Sequence, residues 1–245
     1  EAFVVVAAPE QPAVSRTADT AVGSTDNAAG GQPSRELLVF ESHALSRENT
    51  ERYKRVAADR EVTLNDLLLR DMLLAVRDWN AAHGQQRAGR VRINVPVDGG
   101  RESDRAALLR EVNKQMLQIK NWKLALYFLG GLAAATRFGG LVRWALRRKK
   151  PLATVVLSYL GTVLPRSPLP RREDGKLICG NVVMEQLAGV PPVRPLTRAS
   201  VVVVEYGGQL TLGMRCDTHL FEPSDTRALL STLVEQLHET IRVQR

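Results

Sequence analysis

Residues 199–217 read ASVVVVEYGGQLTLGMRCD. Two runs of apolar and β-branched residues, Ala199 to Tyr206 and Gln209 to Asp217, flank the dipeptide Gly207-Gly208. A two-residue hairpin loop needs backbone at positive φ, which glycine reaches without steric penalty, so two long antiparallel strands are expected here. An amphipathic helix follows from Ser224 to Val243, with Ser224 as its cap.

Working back from this hairpin, helices and strands alternate. Lys176 to Met184 reads as a strand, Pro165 to Pro170 as a turn-rich loop, and Ala153 to Leu157 as a β-branched strand. Ser103 to Lys120 reads as a helix with Leu108, Leu109, Val112, Met116, Leu117 and Ile119 inward. Arg90 to Val97 alternates polar and apolar residues and is expected as a strand. Thr63 or Asn65 opens a helix with Leu64, Leu67, Leu68, Asp71-Met72, Ala75 and Trp79 on a broad apolar face, and Ser46 caps another that runs through Arg60. Glu36 to Glu41 is a further strand. The sum is an α/β domain with a mixed β-sheet and flanking helices, neither a doubly wound nucleotide fold nor a repeat array. Residues 9–35 lack periodic apolar pattern. The expected organisation is therefore the end of an upstream segment plus flexible linker over 1–35, and a folded domain over 36–245. Glu1-Ala2-Phe3-Val4 has neither an initiator Met nor the basic start of a signal peptide, so the expectation is a piece of a longer product.

The charge is uneven. Val112 to Arg172 holds twelve Lys and Arg with no Asp or Glu, against a net charge of +8 for the chain, so the remainder is slightly acidic. Within it, an apolar, glycine-rich segment from Leu124 to Val142 runs on to the cluster Arg147, Arg148, Lys149 and Lys150. The segment is expected to be helical to about Arg147 and to end at Pro151. Arg137 and four glycines interrupt it, and it falls short of the ~20 clean apolar residues of a membrane span. Apolar surface beside clustered cations suits an anionic partner with an apolar part, such as an acyl-CoA, a lipid head group or a membrane face.

Other chemistries are not signalled. Aromatic residues make up 5% of the chain, and no helix-turn-helix, RRM, KH or zinc-finger pattern is present, so nucleic acid is not an expected partner. There is no phosphate-binding glycine loop and no G-x-S-x-G nucleophile elbow. His43, His83, His219 and His238 lack metal-ligand spacing; His83 and His238 read as surface residues. Cys179 and Cys216 lie in strand-like runs and are expected as buried free thiols, which fits a cytoplasmic, reducing compartment.

Four motifs in order carry a resemblance. Thr63-Leu64-Asn65-Asp66-Leu67-Leu68-Leu69 is similar to a T-x-N-D-x-x-L helix start; Arg92-Ile93-Asn94-Val95-Pro96-Val97 with Arg101 is similar to a v-x-v-P-v strand followed by Arg. Val155-Val156-Leu157-Ser158-Tyr159-Leu160-Gly161 resembles a v-v-x-S-N-x-G strand, and Gly208 to Asp217 with the closing helix resembles a g-x-L-x-l-x-x-x-y-D ending. The family is the CoA-dependent acyltransferase superfamily of chloramphenicol acetyltransferase, condensation domains of nonribosomal peptide synthetases, wax ester synthases and polyketide-associated acyltransferases. The resemblance covers residues 36–245 and corresponds to the C-terminal half of such enzymes. Three departures stand out: the H-H-x-x-x-D motif of the N-terminal half is missing, Tyr159 occupies the usual Asn position, and only Val97 to Glu102 connect the P-v strand to the next helix.

The resemblance implies a chloramphenicol acetyltransferase-like C-terminal subdomain. It would form one wall of a tunnel whose general base, the second His of H-H-x-x-x-D, lies on a partner N-terminal half. Acyl-CoA, or an acyl-carrier protein, would be the co-substrate, with no tightly bound cofactor. Ser158 is the candidate near the oxyanion and Arg101 a brace of the tunnel through an ion pair. Arg147, Arg148, Lys149 and Lys150 would meet CoA phosphates or a membrane surface. The Leu124–Val142 helix would line a channel for a long acyl chain or lipid alcohol. Each has a plainer alternative: a backbone-bonded strand hydroxyl, a solvated loop Arg, a solvated helix end, and ordinary core. Asn65 and Asp66 read as capping residues. With no general base identifiable, the chain alone is expected to be inactive. The competing reading is a non-catalytic module that binds anionic lipid at the periphery of a membrane.

Overall fold

A computed structural model describes residues 40–84, 105–121, 155–193 and 197–243. In chain order the elements are β1 (Glu41–Ala44), α1 (Arg47–Asp59), α2 (Leu64–Ala82), α3 (Arg105–Asn121), β2 (Val155–Thr162), β3 (Ile178–Cys179), β4 (Val182–Val183), β5 (Ala199–Tyr206), β6 (Gln209–Cys216) and α4 (Pro223–Arg242). The expected strand at Arg90 to Val97, the Leu124–Arg147 helix and the 1–35 linker lie outside the described residues.

The β5–β6 hairpin centres the fold. Its turn glycines, Gly207 and Gly208, sit at φ +54° and +74°, as a type I′ loop demands. β6 pairs antiparallel with β1 and β5 pairs parallel with β2, giving a mixed sheet in the order β1-β6-β5-β2. Alternation divides its residues between two faces. Val155, Leu157, Val201, Val203, Leu210, Leu212 and Met214 face the helices and form one core with them.

α2 is the hub of the helical layer, packing on α3 and α4. Thr63 caps it: its Oγ1 accepts from the Asp66 N–H at 3.3 Å, and the Asp66 carboxylate accepts from the Thr63 N–H at 3.0 Å. This reciprocal box pairs the Thr63 and Asp66 N–H groups, while Oδ1 of the buried Asp66 carboxylate has no partner among the described residues. Everything from Asp66 to Val76 is buried, so α2 is enclosed all round and not only along the expected stripe. Ser46 caps α1 as the sequence indicates, with its Oγ accepting from Asn49 N–H at 3.1 Å.

Several expectations change. Lys176 to Met184 is not one strand but the small hairpin β3–β4, because Gly180 at φ +62° turns the chain back. β2 runs on past the expected end at Leu157 to Thr162, held by its parallel pairing with β5. α4 is capped at Glu222, not Ser224, since Pro223 provides the first turn and Asp225 accepts from the Glu222 N–H at 2.7 Å. Leu117, expected inward, is 49% exposed; Cys179 is exposed on the tip hairpin while Cys216 is buried. Of the expected Glu36–Glu41 strand, Phe40 is described and lies outside any strand, and β1 begins at Glu41 and runs to Ala44. Among the described residues no helix is long and apolar enough to cross a membrane.

Candidate functional site

β2 stands at one end of the described sheet order, so its surroundings decide what is reachable. Val155 and Leu157 bury toward the helices and half-buried Tyr159 packs on the same core. Val156, Ser158 and Leu160 therefore point to the opposite face, where Ser158 is exposed and Leu160 is 61% exposed. The Ser158 side chain has no hydrogen-bond partner among the described residues, so its hydroxyl is available there. Pairing shifts between Tyr159 and Thr162, the mark of a bulge, and Gly161 sits in it at φ +68°. The glycine of the S-Y-L-G run thus has a backbone reason: an L side chain strains there.

The same face is closed over β5 and β6. The segment after β4 crosses it, and Gly189 lies against Val202 and Gly213. A side chain at Gly213 would meet the Gly189 carbonyl at 2.1 Å and the Phe40 ring at 2.8 Å, so only glycine admits this contact. Tyr206 anchors the crossing: its hydroxyl accepts from Leu177 N–H and donates to the Met184 carbonyl, both at 2.8 Å. What remains uncovered by described residues is the β2 side, a shelf carrying Ser158 and Leu160.

Beneath the shelf, on the helical face, Lys54 of α1 bonds the buried Glu205 of β5 at 2.5 Å. Tyr159 lies within electrostatic reach; burial first, then the Glu205 charge, raises its phenol above the ordinary value. For Lys54, burial works against the charged form, and the bond to Glu205, the Glu205 charge and the nearby Glu51 together outweigh it and raise its pKa. Tyr159, which replaces the Asn of the resembled motif, is thus turned away from Ser158.

Sequence reasoning missed the most buried charge cluster. Arg70 bonds Asp71 at 2.7 and 2.9 Å; Tyr53 donates to Asp71 at 2.8 Å; Thr240 joins at 2.9 Å and Arg105 reaches Thr240 at 2.9 Å. Burial raises the Asp71 carboxyl, which Arg70 pulls back down, and burial also lifts the Tyr53 phenol well above its usual range. The visible signal was Arg70-Asp71 inside an otherwise apolar run. The cluster joins the four described helices and its centre at Arg70 and Asp71 is inaccessible, so its role is architectural.

Of the other candidates, Arg101 and the Arg147, Arg148, Lys149 and Lys150 cluster lie outside the described residues. His83 is no free surface residue: its ring stacks on Trp79 with centroids 4.1 Å apart, and its Nδ1 lies 2.8 Å from the Trp79 carbonyl. Among the described residues no three His, Cys, Asp or Glu are placed to hold a metal ion.

No family model matches the sequence, and no curated protein matches it. Solved structures do. The wax ester synthase/diacylglycerol acyltransferase from Marinobacter aquaeolei VT8 superposes with a TM-score of 0.54 at 18% identity, over 82% of this chain and 48% of that one. The epimerization domain from the third module of tyrocidine synthetase B gives 0.52 at 17% identity, over 83% of this chain and 47% of that one. A nonribosomal peptide synthetase gives 0.51 at 13% identity, over 83% of this chain and 22% of that one. The fold is therefore the mixed α/β fold that this wax ester synthase/diacylglycerol acyltransferase and this epimerization domain share. The chain spans about half the length of the first two structures.

Proposed function

We propose that this chain is the C-terminal half of an acyltransferase that moves an acyl group from a CoA or carrier-protein thioester to an alcohol or amine. The general base is the second His of an H-H-x-x-x-D motif on an N-terminal half, facing β2. One observation carries the reading: an exposed serine hydroxyl, unbonded among the described residues, on the uncovered face of a strand in a fold shared with an acyltransferase. In this scheme the base takes the acceptor's proton as its oxygen or nitrogen attacks the thioester carbonyl. The carbonyl oxygen becomes an oxyanion that accepts from Ser158 Oγ, and collapse expels the thiolate, which recovers the proton. Arg101 braces the tunnel, and Arg147, Arg148, Lys149 and Lys150 receive the phosphates of the donor. A lipidic acceptor or acyl chain is the preferred substrate class, given the apolar Leu124–Val142 segment beside these cations.

The test is thiol release from acyl thioesters by the full-length polypeptide. Ser158→Ala should lower kcat roughly 10²-fold with little change in KM or melting temperature, because the side chain is exposed and lies outside the core. Unchanged kcat would remove Ser158 from the mechanism; no release from any acyl-CoA or acyl-carrier thioester would remove acyl transfer itself. A second reading, anionic-lipid binding, rests on the acid-free stretch Val112 to Arg172. It predicts salt-sensitive binding to anionic vesicles without turnover.

A further inference from the structure

Away from β2, α1 and α4 border a cleft of about 530 Å³ lined by Asn49, Arg52, His238, Ile241 and Arg242. Its volume falls in the range of small-molecule sites. The lining is one-sided in charge: two guanidiniums, an imidazole and an amide, with no carboxylate among the described residues that line it. Arg52 bonds Glu48 at 2.6 Å and Arg242 lies 3.8 Å from Glu239, yet neither glutamate lines the cleft and both are well exposed. Exposed ion pairs of this kind hold their partners weakly, so each guanidinium can turn inward when a stronger acceptor arrives. The Asn49 side chain has no hydrogen bond among the described residues. His43 of β1 lies within electrostatic reach of His238; burial, and then that neighbour, hold His43 below its ordinary value.

We propose that the α1–α4 cleft is a binding site for the phosphate group of a phosphate-bearing ligand. Arg52 and Arg242 supply forked donors from opposite walls, a geometry suited to phosphate oxygens. Asn49 and His238 add single donors, and Ile241 offers apolar contact to the carbon part of the ligand. The site is independent of the acyl-transfer reading, since it shares no residue with β2 or the shelf.

Calorimetric titration of the full-length polypeptide at low salt tests it, with inorganic diphosphate and CoA as separate probes. The titrations are made in a background where Arg147, Arg148, Lys149 and Lys150 are changed to Gln, which removes the other cationic cluster. Saturable binding should weaken about tenfold or more for each of Arg52→Gln and Arg242→Gln, variants that keep the side-chain stems and hence the packing. Equal affinity for both probes means that phosphate alone is recognised; tighter CoA binding means that the organic part contributes. If the ligand-free melting temperature of a variant falls, Asn49→Ala and Ile241→Ser provide the same reading from the other lining positions. Absence of saturable binding for both probes, or binding undiminished in the Arg52→Gln/Arg242→Gln protein, overturns the proposal.

Discussion

Arg70 is 1% exposed, which is tolerable only because Asp71 and Thr240 surround its guanidinium. Removing one partner strands the other charge in the core, which is far more damaging than never having built the pair. Arg70→Ala should therefore destabilise the protein by about 3–5 kcal/mol in urea unfolding. A loss below about 1 kcal/mol would mean that Tyr53, Thr240 and Arg105 satisfy Asp71 without it. The two cysteines make a second contrast at this scale. Burial pushes the Cys216 thiol up to about 12, so almost none of it is thiolate near pH 8, whereas Cys179 is exposed. A thiol reagent at pH 8 should modify Cys179 in the folded protein and Cys216 only after unfolding. Fast modification of both would contradict the burial of β6.

At the level of elements, two glycines separate backbone strain from steric exclusion. A methyl at Gly161 meets nothing within 4 Å, so Gly161→Ala carries only the left-handed conformational cost of about 1–2 kcal/mol. Gly213→Ala must displace the Gly189 carbonyl and should expose the segment after β4 to proteolysis as well as lower the melting temperature. Comparable losses and comparable protease sensitivity in both variants would count against the crossing over β5 and β6. The β5–β6 hairpin and the starts of α1 and α2 were legible in the sequence because each has a local signal: paired glycines, or a capping Ser or Thr. The β3–β4 hairpin and the length of β2 were not, since one depends on a single glycine turn and the other on pairing with a strand 44 residues on in register, Val155 against Ala199. Ser158 was legible only through the S-x-x-G resemblance. Its open face, and the inward turn of Tyr159, follow from a burial pattern that sequence alternation alone does not orient. The α1–α4 cleft was illegible because its walls come from residues about 190 positions apart, brought together by helix packing.

At the scale of the whole molecule, the described helices fill one face of the sheet, and described residues cover the other face only over β5 and β6. Five of the seven large hydrophobics that are exposed among the described residues, Leu160, Leu164, Leu169, Val182 and Val190, fall on β2 and the segment that follows it. Apolar exposure concentrated in this way accords with a surface that meets further protein. Under the proposed function that protein is the base-bearing half, and the wall built by β2 is one side of the reaction tunnel. The most direct measurement is the intact mass and peptide map of the native polypeptide. Acyl transfer by two halves of one chain requires a mass well above 27.0 kDa and a peptide carrying H-H-x-x-x-D upstream of residue 1. A native polypeptide of 27.0 kDa, with no partner chain bearing that motif, would contradict it.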